Sequence, residues 1–223
     1  MERQEIYYQM SLIGMVPLFY NDDLDTSKKI VAACYEGGVK FIEFTNRGGK
    51  AIEVFIKLKQ HIENEGINVC LGVGSVIDPQ TAAEFGLYGA DFFVGPFFNK
   101  DLAVWCNQRM LPYIPGCSSA LEINNAQAVG LEIIKIFPGN MCGPEFIKAI
   151  LGPMPWSKLM PTGGVSTSQS DLEKWFKAGS ICVGIGSKLI KSGEYSNDDL
   201  LVLSETTEQT LKTIQKIKAE LAR

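Results

Sequence analysis

The segment Glu132-Ile133-Ile134-Lys135-Ile136-Phe137-Pro138 reads as a buried parallel strand with a single lysine in it. β-Branched residues crowd both sides of Lys135, and Phe137-Pro138-Gly139 ends the run, since proline cannot donate to a ladder. A lysine at the carboxyl end of such a strand has two readings. In an apolar setting, desolvation disfavours the ammonium ion and leaves a free amine able to attack a carbonyl carbon. Alternatively the aliphatic stem packs and the head reaches solvent, which is the commoner fate of lysines in general.

Outward from this segment, a unit of strand, loop and helix repeats. Strands are expected at Ser11 to Tyr20, Val39 to Phe44, Asn68 to Val73, Ala90 to Val94, Met110 to Pro115, Leu131 to Lys135, Lys158 to Pro161 and Ser180 to Gly184. Between them lie helical stretches such as Leu24 to Glu36, stopped by Gly37-Gly38, and Ala51 to Glu63, with Ile52, Phe55, Ile56 and Leu58 on its inner face. The expected strand ends fall 20 to 29 residues apart, and a helix from Asp198 to Leu221 closes the chain. Eight such units predict an α/β fold, a (β/α)8 TIM barrel that forms one domain over residues 1–223, with residues 1–10 as a short capping helix over its end. The alternative is an open doubly wound sheet, but the Gly-x-Gly-x-x-Gly fingerprint that would favour it is absent after the first strand.

Composition removes several function classes. Net charge is −4 and no basic run stands out, which argues against a nucleic-acid partner. The apolar stretch Ser11 to Tyr20 is too short to cross a bilayer and lacks signal-peptide flanks, so no membrane partner and a cytoplasmic location are expected. The 6 cysteines are scattered without a CxxC pair and read as reduced core thiols. The only histidine, His61, stands among charged residues of a helix, so neither a histidine triad nor a multi-histidine metal site can be built, and no metal is expected.

Barrels of this type work at the carboxyl ends of their strands. The second strand carries Glu43, followed by Thr45 and Arg47; the third ends in Gly72-Val73-Gly74-Ser75, the fourth in Gly95-Pro96 and the sixth in Lys135, followed by Phe137. Alternation puts Glu43 on the same face as Phe41, so an inward Glu43 is buried opposite Lys135 and suited to passing protons, or it makes a purely structural ion pair. Arg47 offers a planar fork for a carboxylate and Ser75 a hydroxyl, although exposed loop arginines are common. Thr45, Pro96 and Phe137 fall where a substrate pocket would be lined. Gly163, Gly164, Gly186 and Ser187 follow the seventh and eighth strands; with the first turn of a short helix from Ser187 they read as a phosphate nest, or merely as tight turns. An amine for a ketone, a carboxyl for protons, an arginine for a carboxylate and a nest for a phosphate together imply a small-molecule 2-oxo acid with a distal phosphate.

Five blocks carry a family resemblance: Gly37-Gly38-Val39 with Ile42-Glu43-Phe44-Thr45-Asn46-Arg47, Gly72-Val73-Gly74-Ser75-Val76, Ile114-Pro115-Gly116, Lys135-Ile136-Phe137-Pro138 and Pro161-Thr162-Gly163-Gly164-Val165. In these the chain resembles the 2-keto-3-deoxy-6-phosphogluconate (KDPG) and 4-hydroxy-2-oxoglutarate (KHG) aldolases along nearly its whole length. The resemblance implies a class I aldolase with Lys135 as Schiff-base lysine, Glu43 as acid/base acting through a water, Arg47 as carboxylate ligand and Ser75 where threonine is usual. It also implies a homotrimer and no cofactor. Two loops depart from the pattern, Gly95-Pro96-Phe97-Phe98-Asn99 and Gly139-Asn140-Met141-Cys142, both expected around the aldehyde half of a substrate. Another phosphate-binding barrel enzyme, or a non-catalytic phosphometabolite-binding paralogue, are the competing readings. A divalent-metal requirement would mark the first, and binding without imine formation the second.

Overall fold

The computed structural model describes residues 1–222. Its strands are short and parallel: β1 (Met15–Phe19), β2 (Phe41–Thr45), β3 (Cys70–Gly74), β4 (Phe93–Val94), β5 (Tyr113–Ile114), β6 (Gly116–Cys117), β7 (Ile133–Ile136), β8 (Lys158–Pro161) and β9 (Val183–Ile185). β5 and β6 are halves of one strand split at Pro115, which has no N–H to give, while its carbonyl accepts from the Lys135 N–H at 2.9 Å. The ladder runs β5-β4-β3-β2-β1-β9 on one side of that break and β6-β7-β8 on the other. Thr162 bridges to Gly184, and the Ile181 N–H donates to the Leu159 carbonyl at 3.1 Å, so the ring closes between β8 and β9. With β5 and β6 taken as one, the strands make the (β/α)8 barrel, and the open sheet is excluded.

Helices α2 (Leu24–Glu36), α3 (Ala51–Asn64), α4 (Pro79–Leu87), α5 (Lys100–Asn107), α6 (Ala120–Ala128), α7 (Gly139–Leu151), α8 (Gln169–Lys177) and α9 (Asn197–Leu221) alternate with the strands. Asp23, Asp78, Asn99, Ser119 and Ser196 cap five of them by accepting a first-turn N–H that would otherwise lack a partner. The period of two along each strand divides the core. Outward side chains such as Ile42, Phe44, Leu71, Val73 and Ile134 pack against the helices, whereas Val16, Phe41, Phe92, Val94, Ile114, Ile133, Met160 and Cys182 fill the barrel interior. Each large side chain buried in this way contributes about 1.5–3 kcal/mol.

The first unit differs from the sequence expectation. Ser11 to Ile13 continue helix α1 (Arg3–Ile13), which Gly14 ends at φ 81, so the strand begins at Met15 and not at Ser11. The apolar run from Leu12 to Phe19 hides the boundary, because hydrophobicity alone does not separate the end of a buried helix from the start of a buried strand. Ile6, Tyr7 and Met10 of α1 close the amino end of the interior. The Tyr7 hydroxyl donates to the Tyr113 carbonyl at 3.2 Å and accepts from its N–H at 3.0 Å. Lys218 of α9 reaches the Ser11 and Leu12 carbonyls at the end of α1, and the Ile181 carbonyl at 3.1 Å, fastening the cap to the barrel.

Two further segments depart from expectation. Residues 139–142, read as a loop, already form the first turn of α7, with the Pro138 carbonyl accepting from the Met141 and Cys142 N–H groups at 3.1 Å each; the kink comes later, at Gly143 (φ 72). After β9, Ser187 begins only a single turn, closed by the Leu189 and Ile190 N–H groups on the Gly186 carbonyl at 2.8 and 2.9 Å, not a short helix.

Candidate active site

Lys135 follows Ile133 at the strand period and so points into the barrel, on the layer above the apolar interior. Glu43 stands in the same relation to Phe41 on β2. The two are 5% and 1% exposed, and Lys135 Nζ lies 4.0 Å from Glu43 Oε1 across the barrel. Burial is the largest influence on the amine and pushes its pKa below the ordinary lysine value; the Glu43 carboxylate pulls it back up, and the Arg47 guanidinium adds to the lowering. At this separation the contact is at the outer limit of an ion pair, which is why the opposite charge does not undo the desolvation. The Phe137 ring covers the amine with its centroid 5.0 Å from Nζ. Glu43 Oε2 is buried with no hydrogen-bond partner among the described residues.

Above this pair opens a cleft of about 340 Å³. Thr45, Arg47, Ser75 and Pro96 line one side and Gly163, Gly164, Gly186 and Ser187 another, with Lys135 and Phe137 between them; Glu43 lies beneath and is not part of the wall. The Thr45 hydroxyl donates to the Phe19 carbonyl at 3.2 Å and so ties β2 to β1. Ser75 sits at φ 61, a left-handed conformation that costs a non-glycine residue roughly 1–3 kcal/mol and is concentrated at functional sites. Arg47 is exposed at the rim, and its guanidinium makes no hydrogen bond or ion pair among the described residues. Gly163 and Gly164 have φ 96 and 82, and a Cβ on Gly164 would stand 2.6 Å from that of Asn140, so both glycines are required by the turn itself. The N–H groups of Gly164, Ser187 and Lys188 donate to no backbone acceptor among the described residues.

Sequence reasoning left several wall residues unassigned. The Thr162 hydroxyl is buried without a partner among the described residues, and Thr162 lines the cleft. Its inward direction follows from the same alternation that turns Met160 inward, so the strand pattern carried the signal. Tyr20, Lys188 and Lys191 also line the cleft; Lys191 pairs with Asp199 at 2.8 Å, and Lys188 makes no ion pair among the described residues. These came from loops whose direction no periodicity gives. Together with Arg47 and Lys135 they leave a wall that carries cationic side chains and no Asp or Glu, in a chain of net charge −4.

A buried amine, a buried carboxylate and a cationic wall at the carboxyl face of a barrel narrow the comparison. The model of the family described as "Aldolase: KDPG and KHG aldolase" matches residues 6–205. The chain belongs to the KDPG and KHG aldolase family. The family's members named here are lyases, and this aldolase is similar to the 2-dehydro-3-deoxy-phosphogluconate aldolase of Treponema pallidum, 25% identical over 94% of this chain and 97% of that protein. It is 27% identical to the KHG/KDPG aldolase of Escherichia coli over 81% of this chain and 85% of the other. The solved KDPG aldolase of Legionella pneumophila, with pyruvate captured at low pH as a covalent carbinolamine intermediate, superposes with a TM-score of 0.81 at 25% identity, covering 90% of this chain and 95% of that one. Within this family frame, the two departing loops of the aldolase lie at the rim. The Phe97 carbonyl accepts from the Tyr113 hydroxyl at 3.0 Å, Asn99 caps α5, and Met141 is largely exposed.

Proposed function

We propose that the chain is a class I aldolase that reversibly cleaves a 2-keto-3-deoxy-6-phospho sugar acid or 4-hydroxy-2-oxoglutarate to pyruvate and an aldehyde, glyceraldehyde 3-phosphate or glyoxylate. The observation that carries this reading is the Lys135 amine, dry and held below the ordinary lysine range, 4.0 Å from a buried carboxylate. Arg47 and the Ser75 hydroxyl hold the substrate carboxylate, which turns an encounter into an oriented reaction. Thr45, Pro96 and Phe137 shape the pocket around the pyruvyl carbons. The amine adds to C2; the new C–N nitrogen gives up a proton to the Glu43 carboxylate, the oxyanion takes a proton from solvent water and becomes the carbinolamine hydroxyl, and Glu43 returns its proton to that hydroxyl as it leaves as water. The resulting protonated imine is an electron sink. Glu43, returned to its carboxylate, removes the C4 hydroxyl proton through a water; the C3–C4 bonding pair moves toward the imine nitrogen, and the aldehyde departs. Protonation of the enamine at C3 and hydrolysis release pyruvate and the free amine. Every group in this sequence belongs to the protein, the substrate or water.

The far end of the substrate supports the choice of a phosphate. N–H groups at Gly164, Ser187 and Lys188 without a backbone acceptor among the described residues, with the Ser187 hydroxyl, Gly163 and Gly186 beside them, suit a dianion, and the cationic wall attracts it. The relatives' names, one for phosphogluconate alone and one for both substrates, support keeping both.

Borohydride added with saturating pyruvate is expected to fix a covalent adduct on Lys135, read by intact mass and peptide mapping; an unmodified chain would reject the aldolase. Because burial lowers the pKa of Lys135 from 10.5, the adduct should form faster as pH rises, levelling off below that value as the neutral amine becomes the main form. Arg47→Gln removes a charge that lowers the pKa, so the midpoint of this profile should move up.

The assembly we infer is a homotrimer. Ile77, Phe97, Leu121 and Met141 are 48%, 47%, 68% and 80% exposed and follow β3, β4, β6 and β7, which are consecutive around the ring, so they share one sector of its carboxyl rim. Light scattering behind size-exclusion chromatography is expected to give three times the chain mass; a monomeric mass at micromolar concentration would overturn this assignment. No helix among the described residues is long and apolar enough to cross a membrane. Cys34, Cys70, Cys106, Cys117, Cys142 and Cys182 are all unpaired, which supports a reducing, cytoplasmic setting.

A further inference from the structure

We propose that Gly74 is a positioning residue for the reaction: the space its missing side chain leaves is the seat of the Glu43 carboxylate. The inward positions of β3 above Cys70 are both glycines, and each recess is filled by a neighbour. A Cβ on Gly72 would stand 2.3 Å from the Phe92 ring, and one on Gly74 would stand 1.8 Å from Glu43 Oε1, 2.5 Å from Cδ and 2.7 Å from Cγ. The recess at Gly72 therefore holds apolar packing and the one at Gly74 holds the reacting carboxylate.

The strand register explains the geometry. Glu43 is paired with Gly72 and Thr45 with Gly74, so the Glu43 side chain leans one layer toward the carboxyl end and lies flat over Gly74. In that posture its Oε1 comes to 4.0 Å from Lys135 Nζ, while Oε2 stays buried and unpartnered. The contacts run along the outer half of the side chain, so a β-carbon at position 74 requires the carboxylate to swing out of this seat. Gly74 is not in the left-handed region, so its backbone accepts alanine without strain. Its glycine identity is explained by the side chain lying over it. The Gly74 carbonyl also accepts from the Asn46 N–H at 2.8 Å, holding the start of the Arg47 loop against the same strand.

The inference rests on Glu43 as proton carrier, and two paired measurements separate the claims. Exchange of the pyruvate methyl protons into deuterated water, followed by NMR, reads the enamine step. Gly74→Ala is expected to slow it at least ~10-fold in the otherwise unaltered chain. In a Glu43→Ala background, where no carboxylate is left to displace, the same change should alter exchange by less than about twofold. The thermal midpoint is the second reading: alanine at 74 lowers it when Glu43 is present and does not lower it when Glu43→Ala has emptied the recess. Should Gly74→Ala fail to fold by itself while the double variant folds, the seat is supported. Equal losses in both backgrounds, in exchange and in midpoint, overturn it. If Glu43→Ala alone exchanges protons at the unaltered rate, the proton-carrier role fails, and the midpoint pair still decides whether Gly74 seats the carboxylate.

Discussion

Lys135→Ala abolishes turnover, with an expected loss of about 10⁴-fold or more, because no other amine can form the covalent intermediate that divides one difficult step into easier ones. The reasoning is geometric. Among the cationic residues of the cleft, Lys135 is the buried one, and Arg47, Lys188 and Lys191 stand exposed at the rim. The same variant should leave intact mass unchanged after pyruvate and borohydride. It should keep its fold, since what is lost is one side-chain stem and a contact 4.0 Å long, against an interior built from Phe41, Phe92, Ile133 and Met160. Steady-state cleavage, intact mass and a thermal melt check the three parts. Activity within tenfold of the unaltered chain would remove Lys135 from the mechanism.

Glu43→Gln separates proton transfer from imine formation. The amide has nearly the same shape and still fits over Gly74, so the structural change is small, but it can neither give nor accept the proton that each half of the reaction needs. Turnover is expected to fall by about 10²–10⁴-fold, the usual contribution of a positioned acid/base group. Trapping of pyruvate should survive at a reduced rate, since the nucleophile remains. Its pH profile carries a signed prediction: the Glu43 carboxylate raises the pKa of Lys135, so removing that charge lowers it further and moves the trapping midpoint to lower pH. Full turnover in the glutamine variant would assign Glu43 to the structural ion pair that the sequence left open. An upward shift of the midpoint would contradict the electrostatics of the pair.

Much of the site was legible because strand alternation is a local rule. Phe41 with Glu43, and Ile133 with Lys135, share faces by simple counting, and the polar member of each pair falls at the carboxyl end. The family blocks suggested roles that counting cannot assign, such as the one proposed for Arg47 toward a carboxylate. What escaped were features set by chain direction between elements. The end of α1 at Gly14 lay inside an unbroken apolar run, so the first strand was expected too early. The segment after Pro138 turns helical at once, and Gly139 at its start packs tightly against the turn that follows β8, where an added Cβ would stand 2.7 Å from the Gly163 carbonyl. Gly72 and Gly74 were read only as the end of the third strand, when both are recesses for side chains from neighbouring segments.

Residue order alone determined the repeating unit, the number of strands, the residue that shares a face with Glu43 and the chemical kinds of group gathered at one end, because each follows from periodicity over a few neighbouring positions. Only the closed ring decided that the amine and the carboxylate, 92 residues apart in the chain, stand 4.0 Å from one another and away from water. Distance and desolvation depend on strands that meet around the barrel, and those two quantities are what the role proposed for Lys135 requires.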